Sequence, residues 1–192
     1  MPERNPAALD FLLTRRSRPA KTLVPPAPDR EELMTLLTAA ARAPDHGKLE
    51  PWRFIVLERA ALDRLAALVE ERAAALEIDP DKAAKMVRQF SDAPLVVAVI
   101  SSPKPSDKVP EIEQCYSAGA VCLGLLNAAL ASGWGANWLT GWACYDAEFR
   151  ARGLGLAEGE GVAGFIVIGT ETVTPPERPR PDLAAITTWM SA

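Results

Sequence analysis

Arg15, Arg16 and Ser17 stand together near the start of the chain, and Arg42-Ala43-Pro44-Asp45-His46-Gly47-Lys48 leads on into Pro51-Trp52-Arg53-Phe54. The first cluster offers two planar, permanently charged guanidinium groups and a hydroxyl, a donor set that grips a phosphate. Capping accounts for the arginines equally well, because cations complement the last turn of a helix. In the second segment Pro44 stops a helix and Gly47 frees the backbone to turn. The residues around it can then aim polar side chains and N–H groups at a ligand. His46 is the one histidine of the chain, and imidazole is the side chain that exchanges protons near neutral pH. Trp52 suits a core position as well as a ring wall. Cations for a phosphate and apolar walls for a ring together suggest a site for a phosphorylated aromatic group.

Other patterns carry less chemistry. Gly159-Glu160-Gly161-Val162-Ala163-Gly164 matches G-x-G-x-x-G, but the dinucleotide fingerprint needs a strand before it and a helix after it. Here a turn precedes it, an apolar strand starts inside it, and Glu160 would repel a phosphate. No Walker sequence, HExxH or GxSxG occurs. One histidine and three cysteines without a CxxC pair supply no conventional metal site, and the odd cysteine count suits reduced thiols. Cys115 and Cys122 are expected to be small packing residues on one helix face. A net charge of -4 over 192 residues argues against nucleic acid as a general partner. The length suits a single domain over residues 1–192, with 171–192 as a proline-rich C-terminal extension. Met1-Pro2-Glu3-Arg4-Asn5 has no apolar run behind it, so no secretory signal is expected; a cytoplasmic protein is.

The elements that must position these residues follow from capping and periodicity. Asn5-Pro6 caps and opens a first helix ending near Thr14, with Leu9, Leu12 and Leu13 expected on one buried face. Asp29 and Glu32 form a capping box for a second helix, which carries Leu33, Leu36, Leu37 and Ala40 and stops before Pro44. Trp52–Leu57 reads as a strand, about Ala60–Ala75 as a helix, and Asp79-Pro80 opens another reaching about Phe90. Leu95–Ile100 and Val162–Ile168 are buried strands, Ala136–Leu139 a short one, and Asp146–Arg152 a short helix. Between them lies a long apolar helix, about Glu111–Ser132, stopped by Gly133. No charge occurs from Gln114 to Tyr145. Gln114–Ser132 would span about 28 Å at 1.5 Å per residue, near the thickness of a bilayer core. Its polar and small residues, and the lack of a flanking basic cluster, favour a buried core or a subunit interface over a membrane span. Strands with helices between and around them make an α+β or three-layer α/β protein.

The order Arg15-Arg16-Ser17, Arg42-Ala43-Pro44-Asp45-His46 with Pro51-Trp52-Arg53-Phe54, Ala131-Ser132-Gly133-Trp134-Gly135, and Gly164-Phe165-Ile166-Val167-Ile168-Gly169-Thr170 resembles the FMN-dependent nitroreductase family, in particular its short YdjA-like subgroup. The resemblance runs over about residues 7–170. It implies an α+β three-layer α/β/α sandwich with a mostly antiparallel central sheet and a long buried helix, and a C-terminal tail extending onto a dimer partner. It implies a homodimer with FMN at the subunit interface, NAD(P)H as electron donor and a small-molecule acceptor, such as a nitroaromatic or quinone, reduced in ping-pong fashion. It does not imply nucleic acid or membrane as a partner. By the same resemblance Arg15, Arg16 and Ser17 hold the FMN phosphate side. Arg42 and His46 contact FMN, one from the neighbouring subunit, and Trp138, Leu139 and Thr140 lie near the ring. Ala128, Ala129, Leu130, Ala131, Ser132 and Gly133 match a nicotinamide-cofactor stretch, where a plain helix end serves equally. No residue is expected to act as a nucleophile. Many relatives carry Asn and Gln where Lys48 and Glu50 stand, so Lys48 is a candidate for stabilising reduced flavin. Arg178 and Arg180 are candidates for a further phosphate contact. The family fold also supports flavin fragmentation and dehalogenation, and a flavin carrier or redox sensor without turnover is a further alternative.

Overall fold

A computed structural model describes residues 3–191; Met1 and Pro2 at one end and Ala192 at the other lie outside the described residues. Six α-helices and five strands form along this stretch: α1 Pro6–Thr14, β1 Leu23–Val24, α2 Arg30–Ala40, β2 Trp52–Leu57, α3 Arg59–Ala75, α4 Pro80–Ser91, β3 Leu95–Ser101, α5 Glu111–Ala131, β4 Gly135–Leu139, β5 Gly161–Glu171 and α6 Leu183–Ile186, with a π-helical turn at Phe149–Gly153 where a short helix is expected. The helix starts are written in the sequence. The Asn5 side chain accepts from Ala8 N–H at 3.1 Å ahead of Pro6. Asp29 and Glu32 close a reciprocal capping box at 2.9 and 3.0 Å, and Asp79 accepts from Lys82 N–H at 3.1 Å. Each satisfies a donor that the first turn cannot pair internally.

The sheet runs in the order β1-β5-β3-β2, with β4 also paired to β5, and every pairing is antiparallel. Alternate side chains of a strand leave on opposite faces, and here both faces are apolar. On one face Val96, Ala98, Ile100, Phe165 and Val167 meet Leu62, Leu65 and Val69 of α3 and Met86 and Phe90 of α4. On the other, Leu95, Val97, Val99, Ile166 and Ile168 meet Leu33, Leu36 and Leu37 of α2 and Val121, Leu125 and Ala129 of α5. Helix, sheet and helix thus stack as an α/β/α sandwich, and the apolar runs of β3 and β5 are its middle layer.

The long helix α5 is sunk along one side only. Its two buried polar side chains near the start are paired: the Gln114 amide bonds to Lys104 N–H and C=O at 2.7 and 2.9 Å, and Ser117 Oγ donates to Pro44 O at 2.7 Å; Asn127 Oδ1, farther along, is buried without a partner. By length and composition it could cross a membrane, yet these bonds and the packing of its buried side build it into this fold. Its other side leaves Ile112, Tyr116 and Leu123 exposed.

Two expectations need correction, and one strand is an addition. Leu9, Leu12 and Leu13 do not make a buried face, because no residue of α1 is buried and no element of the same chain covers that stripe. Cys115 is exposed while Cys122 is buried; seven positions drift by only about 20° around a helix, so the two share a face, but Cys115 lies in the first turns of α5, where that face borders an open cavity. The two-residue β1, followed by Pro25-Pro26, is too short to show a period, but it adds a pairing to β5 at Leu23 and Val24.

Candidate cofactor site

The chain leaves α1 through Arg15, whose N–H still bonds Phe11 O at 2.7 Å. It is then clipped to β4. Arg18 N–H donates to Ala136 O at 2.8 Å and the Asn137 amide donates to Arg18 O at 2.6 Å. An ion pair of 3.3 Å between Arg18 and Glu171 holds the same segment to β5. Between helix end and clip, Arg15 Nη2 donates to Ser17 Oγ at 3.0 Å. Arg15 Nε is buried and has no partner. The C-terminal tail returns to this point: Arg16 Nε donates to Pro176 O at 3.3 Å, and Arg180 lies close enough for its field to act on Arg15. Burial, then Arg180, then Arg16 hold the Arg15 guanidinium below its ordinary value. Glu177, exposed and 2.7 Å from Arg180, is the carboxylate that shares this field. Arg15, bonded to Ser17 and holding an unused buried donor, stands in the field of two further guanidinium groups, a repulsion that a bound phosphate would relieve.

Directly beyond the clip, Pro19, Ala20 and Lys21 form one wall of a cavity of ≈ 530 Å³, a usual size for a small-molecule site. Helix α4 makes another wall. Met86 and Phe90 point into the core, which turns Lys85, Arg88 and Gln89 toward the cavity. Asn137, Leu139 and Thr140 at the end of β4, with Val167 of β5, complete it. Gln89 Nε2 is buried here without a hydrogen-bond partner. A larger cavity, ≈ 630 Å³, lies elsewhere, between the start of α5 and the loop before β5. Its charged lining is Glu111, Glu158 and Glu160 against Arg150, the wrong balance for a phosphate. Glu160 is already committed there: Arg53 grips it with two bonds of 2.7 Å, and that pairing holds its carboxyl down to about 2.

The loop of the second motif is tightly organised. Asp45 accepts from Leu49 N–H at 3.2 Å and from Glu50 N–H at 2.7 Å. Gly47, Lys48 and Glu50 take left-handed backbone conformations, with φ of 78°, 54° and 47°. Non-glycine residues held that way cost roughly 1–3 kcal/mol each and gather at functional sites. His46 Nδ1 lies 2.7 Å from Glu113 Oε2 at the start of α5. Arg42 is exposed and forms no ion pair among the described residues.

Of the residues singled out in sequence, the fold joins Arg15 to Ser17 ahead of the clip, where neither they nor Arg16 line the cavity, and lines the cavity with Leu139 and Thr140. Arg42, His46 and Lys48 do not line it within one chain. Trp138 leaves β4 on the opposite side from Leu139, covers Gly164 and donates to Ala163 O at 3.3 Å. The stretch Ala128–Gly133 forms a helix stop. Gly133, at φ 86°, bonds back to Leu130 O, and Trp134 N–H bonds to Ala129 O, a paired arrangement that consumes the last free carbonyls. Sequence reasoning overlooked Lys85, Arg88, Gln89 and Asn137. Their one signal was a polar stripe at helical spacing on α4, which looks the same as a solvated face.

The model of the nitroreductase family matches residues 12–170. Over 164 residues the chain is 37% identical to the Escherichia coli (strain K12) protein named "Putative NAD(P)H nitroreductase YdjA", covering 85% of this chain and 87% of that one. Among solved structures, a nitroreductase-like family protein from Bacillus cereus superposes with a TM-score of 0.80 at 22% identity, over 100% of both chains. A nitroreductase with bound FMN from Bacteroides fragilis NCTC 9343 does so with 0.72 at 22% identity, over 98% of this chain and 100% of that one. With the arginine cluster and the antiparallel sandwich already established, these likenesses place the protein plainly: the chain belongs to the nitroreductase family of oxidoreductases.

Proposed function

We propose that this chain is a cytoplasmic, homodimeric FMN-dependent enzyme that oxidises NADH or NADPH and reduces a nitroaromatic, quinone or similar acceptor by a ping-pong mechanism. Bound FMN supplies the redox chemistry by accepting hydride from the nicotinamide and passing electrons on; the protein supplies binding, orientation and electrostatics. The observation that carries the reading is the cluster of Arg15, Ser17, Arg16 and Arg180 in a segment that runs on into the wall of a cavity of small-molecule size. Arg15 Nε, buried and without a partner, belongs to the same cationic cluster. The family membership and the FMN named in the Bacteroides structure agree with it.

Arg15, Arg16 and Arg180 would hold the phosphate dianion by charge-assisted hydrogen bonds, with Ser17 adding a neutral donor. Leu139 and Thr140 would lie against the ring and keep water from part of one face. Arg42 and His46 would reach the ring from a second copy, His46 steadied by Glu113 and able to pass a proton. Exposed apolar side chains support the dimer: Leu12 is 59% and Leu13 73% exposed on α1, Tyr116 68% on α5, and Trp189 91% and Met190 94% in the tail. Such residues would be covered in a dimer. The tail would lie across the partner.

Purified protein, mixed anaerobically with NADPH, should lose its visible flavin band and regain it when a nitroaromatic or quinone is added. A band that persists with both NADH and NADPH would make the protein a flavin binder without turnover. A colourless protein that does not take up added FMN would remove the reading altogether.

A further inference from the structure

We infer that Glu113 is a positioning residue for His46: it fixes the imidazole in the tautomer with its hydrogen on Nδ1, so that Nε2 meets the flavin as a hydrogen-bond acceptor. The inference rests on the flavin reading above and deepens it. His46 Nδ1 and Glu113 Oε2 are 2.7 Å apart although 67 positions separate them in sequence. The two side chains are 64% and 45% exposed, so a ligand can reach the imidazole. A helix N-terminus favours acidic residues, which accounts for both Glu111 and Glu113 in the first turn of α5. It does not account for an imidazole carried to hydrogen-bonding distance by a separate loop.

That loop is fastened to α5 at two points. Pro44 O accepts from Ser117 Oγ at 2.7 Å, and Trp52 Nε1 donates to the same hydroxyl at 3.1 Å. Ser117 and Glu113 are four residues apart, hence neighbours on one helix face. Between the two fastenings stands Asp45, which accepts from Leu49 and Glu50 N–H. Lys48 and Glu50 keep left-handed backbone conformations, which persist only where the surroundings over-determine them. The imidazole is therefore carried on a preformed frame. A carboxylate can only accept hydrogen bonds. In a neutral imidazole the nitrogen facing it must then bear the hydrogen, which leaves the other nitrogen a bare lone pair. His46 Nε2 bonds to nothing among the described residues. The flavin group that meets it is thus a donor, a ring N–H or a ribityl hydroxyl, and not a carbonyl oxygen. A histidine in water favours the opposite tautomer by a small margin, so without Glu113 most molecules would present an N–H at that point.

The chain has one histidine, so nitrogen-15 spectra of the untagged, histidine-labelled full chain report on His46 alone. They are recorded on apoprotein in alkaline buffer for wild type, Glu113→Ala and Glu113→Leu, two variants that offer no acceptor, so that a folding failure of one leaves the other. Wild type should show the hydrogen on Nδ1, and both variants should move it mainly to Nε2. FMN, measured by fluorescence quenching, should bind the variants about fivefold more weakly, because only the fraction in the competent tautomer binds. In a His46→Ala background, Glu113→Ala should change nothing further. A wild-type ring with its hydrogen on Nε2, variants that keep the wild-type tautomer or affinity, or an equal loss in the His46→Ala background would each overturn the inference and leave the flavin reading intact. Wild-type protein that takes up no FMN would overturn both.

Discussion

Charge at single residues decides most of what this site can hold, and the same charges set its response to acid. Glu160 belongs to no anion site; it is the fixed partner of Arg53 and also accepts from Ala157 N–H at 3.0 Å. Its carboxyl titrates at about 2 against an ordinary 4.5. Because the folded value is the lower one, the contribution is fully present above about 4.5 and fades as pH falls toward 2. Glu160→Gln should therefore cost about 1–2 kcal/mol in urea unfolding at neutral pH, and the gap from wild type should close at the acid end. A gap of unchanged size near pH 2 would contradict that assignment. At this scale the sequence was legible where type and adjacency coincide. Arg15, Arg16 and Ser17 are neighbours, so their joint chemistry shows before folding. Gln89 and Arg180 were not legible as part of one site, because a glutamine on a charged helix and an arginine in a proline-rich tail look solvated until the fold returns them to β4 and α1.

Elements place these residues by where they stop. Helix α5 ends at Gly133, whose φ of 86° permits the two back-bonds of the stop, and nothing lies within 4 Å of where a Cβ would stand. The cost of a side chain there is thus conformational, not steric. Gly133→Ala should lower stability by about 1 kcal/mol, a fall of roughly 2–4 °C in Tm for a chain of this size, and Gly133→Asn should cost less because asparagine tolerates the left-handed region. Calorimetry of the two variants checks this; a Gly133→Ala protein that melts at the wild-type temperature would refute it. Caps and stops of this kind are local, which is why Asn5, Asp29, Asp79 and Gly133 marked their helix ends in sequence. The burial of α1 was misjudged for the opposite reason. An apolar stripe shows that a face must be covered but not by which chain, and Leu12 and Leu13 have no cover within their own.

The whole molecule is where the site becomes complete in the proposed account. One chain gathers the phosphate clamp and the ring cavity, yet its Arg42 and His46 stand apart from that cavity. The family match ends at residue 170, just before the tail that brings back Arg180 and then exposes Trp189 and Met190. Sequence periodicity is blind to this level, because a second copy contributes no spacing of its own. Hybrid dimers test it most directly. A chain carrying Arg16→Glu is paired, by two affinity tags, with a chain carrying Arg42→Ala and His46→Ala, and FMN per dimer is counted from the chromophore released on heating. If clamp and loop come from different chains, each parent homodimer loses most of its FMN. The hybrid combines both defects in one site, leaves the other intact, and should hold one FMN per dimer, half the wild-type load. A hybrid as empty as its parents would mean that every group acts within its own chain, and would contradict the account.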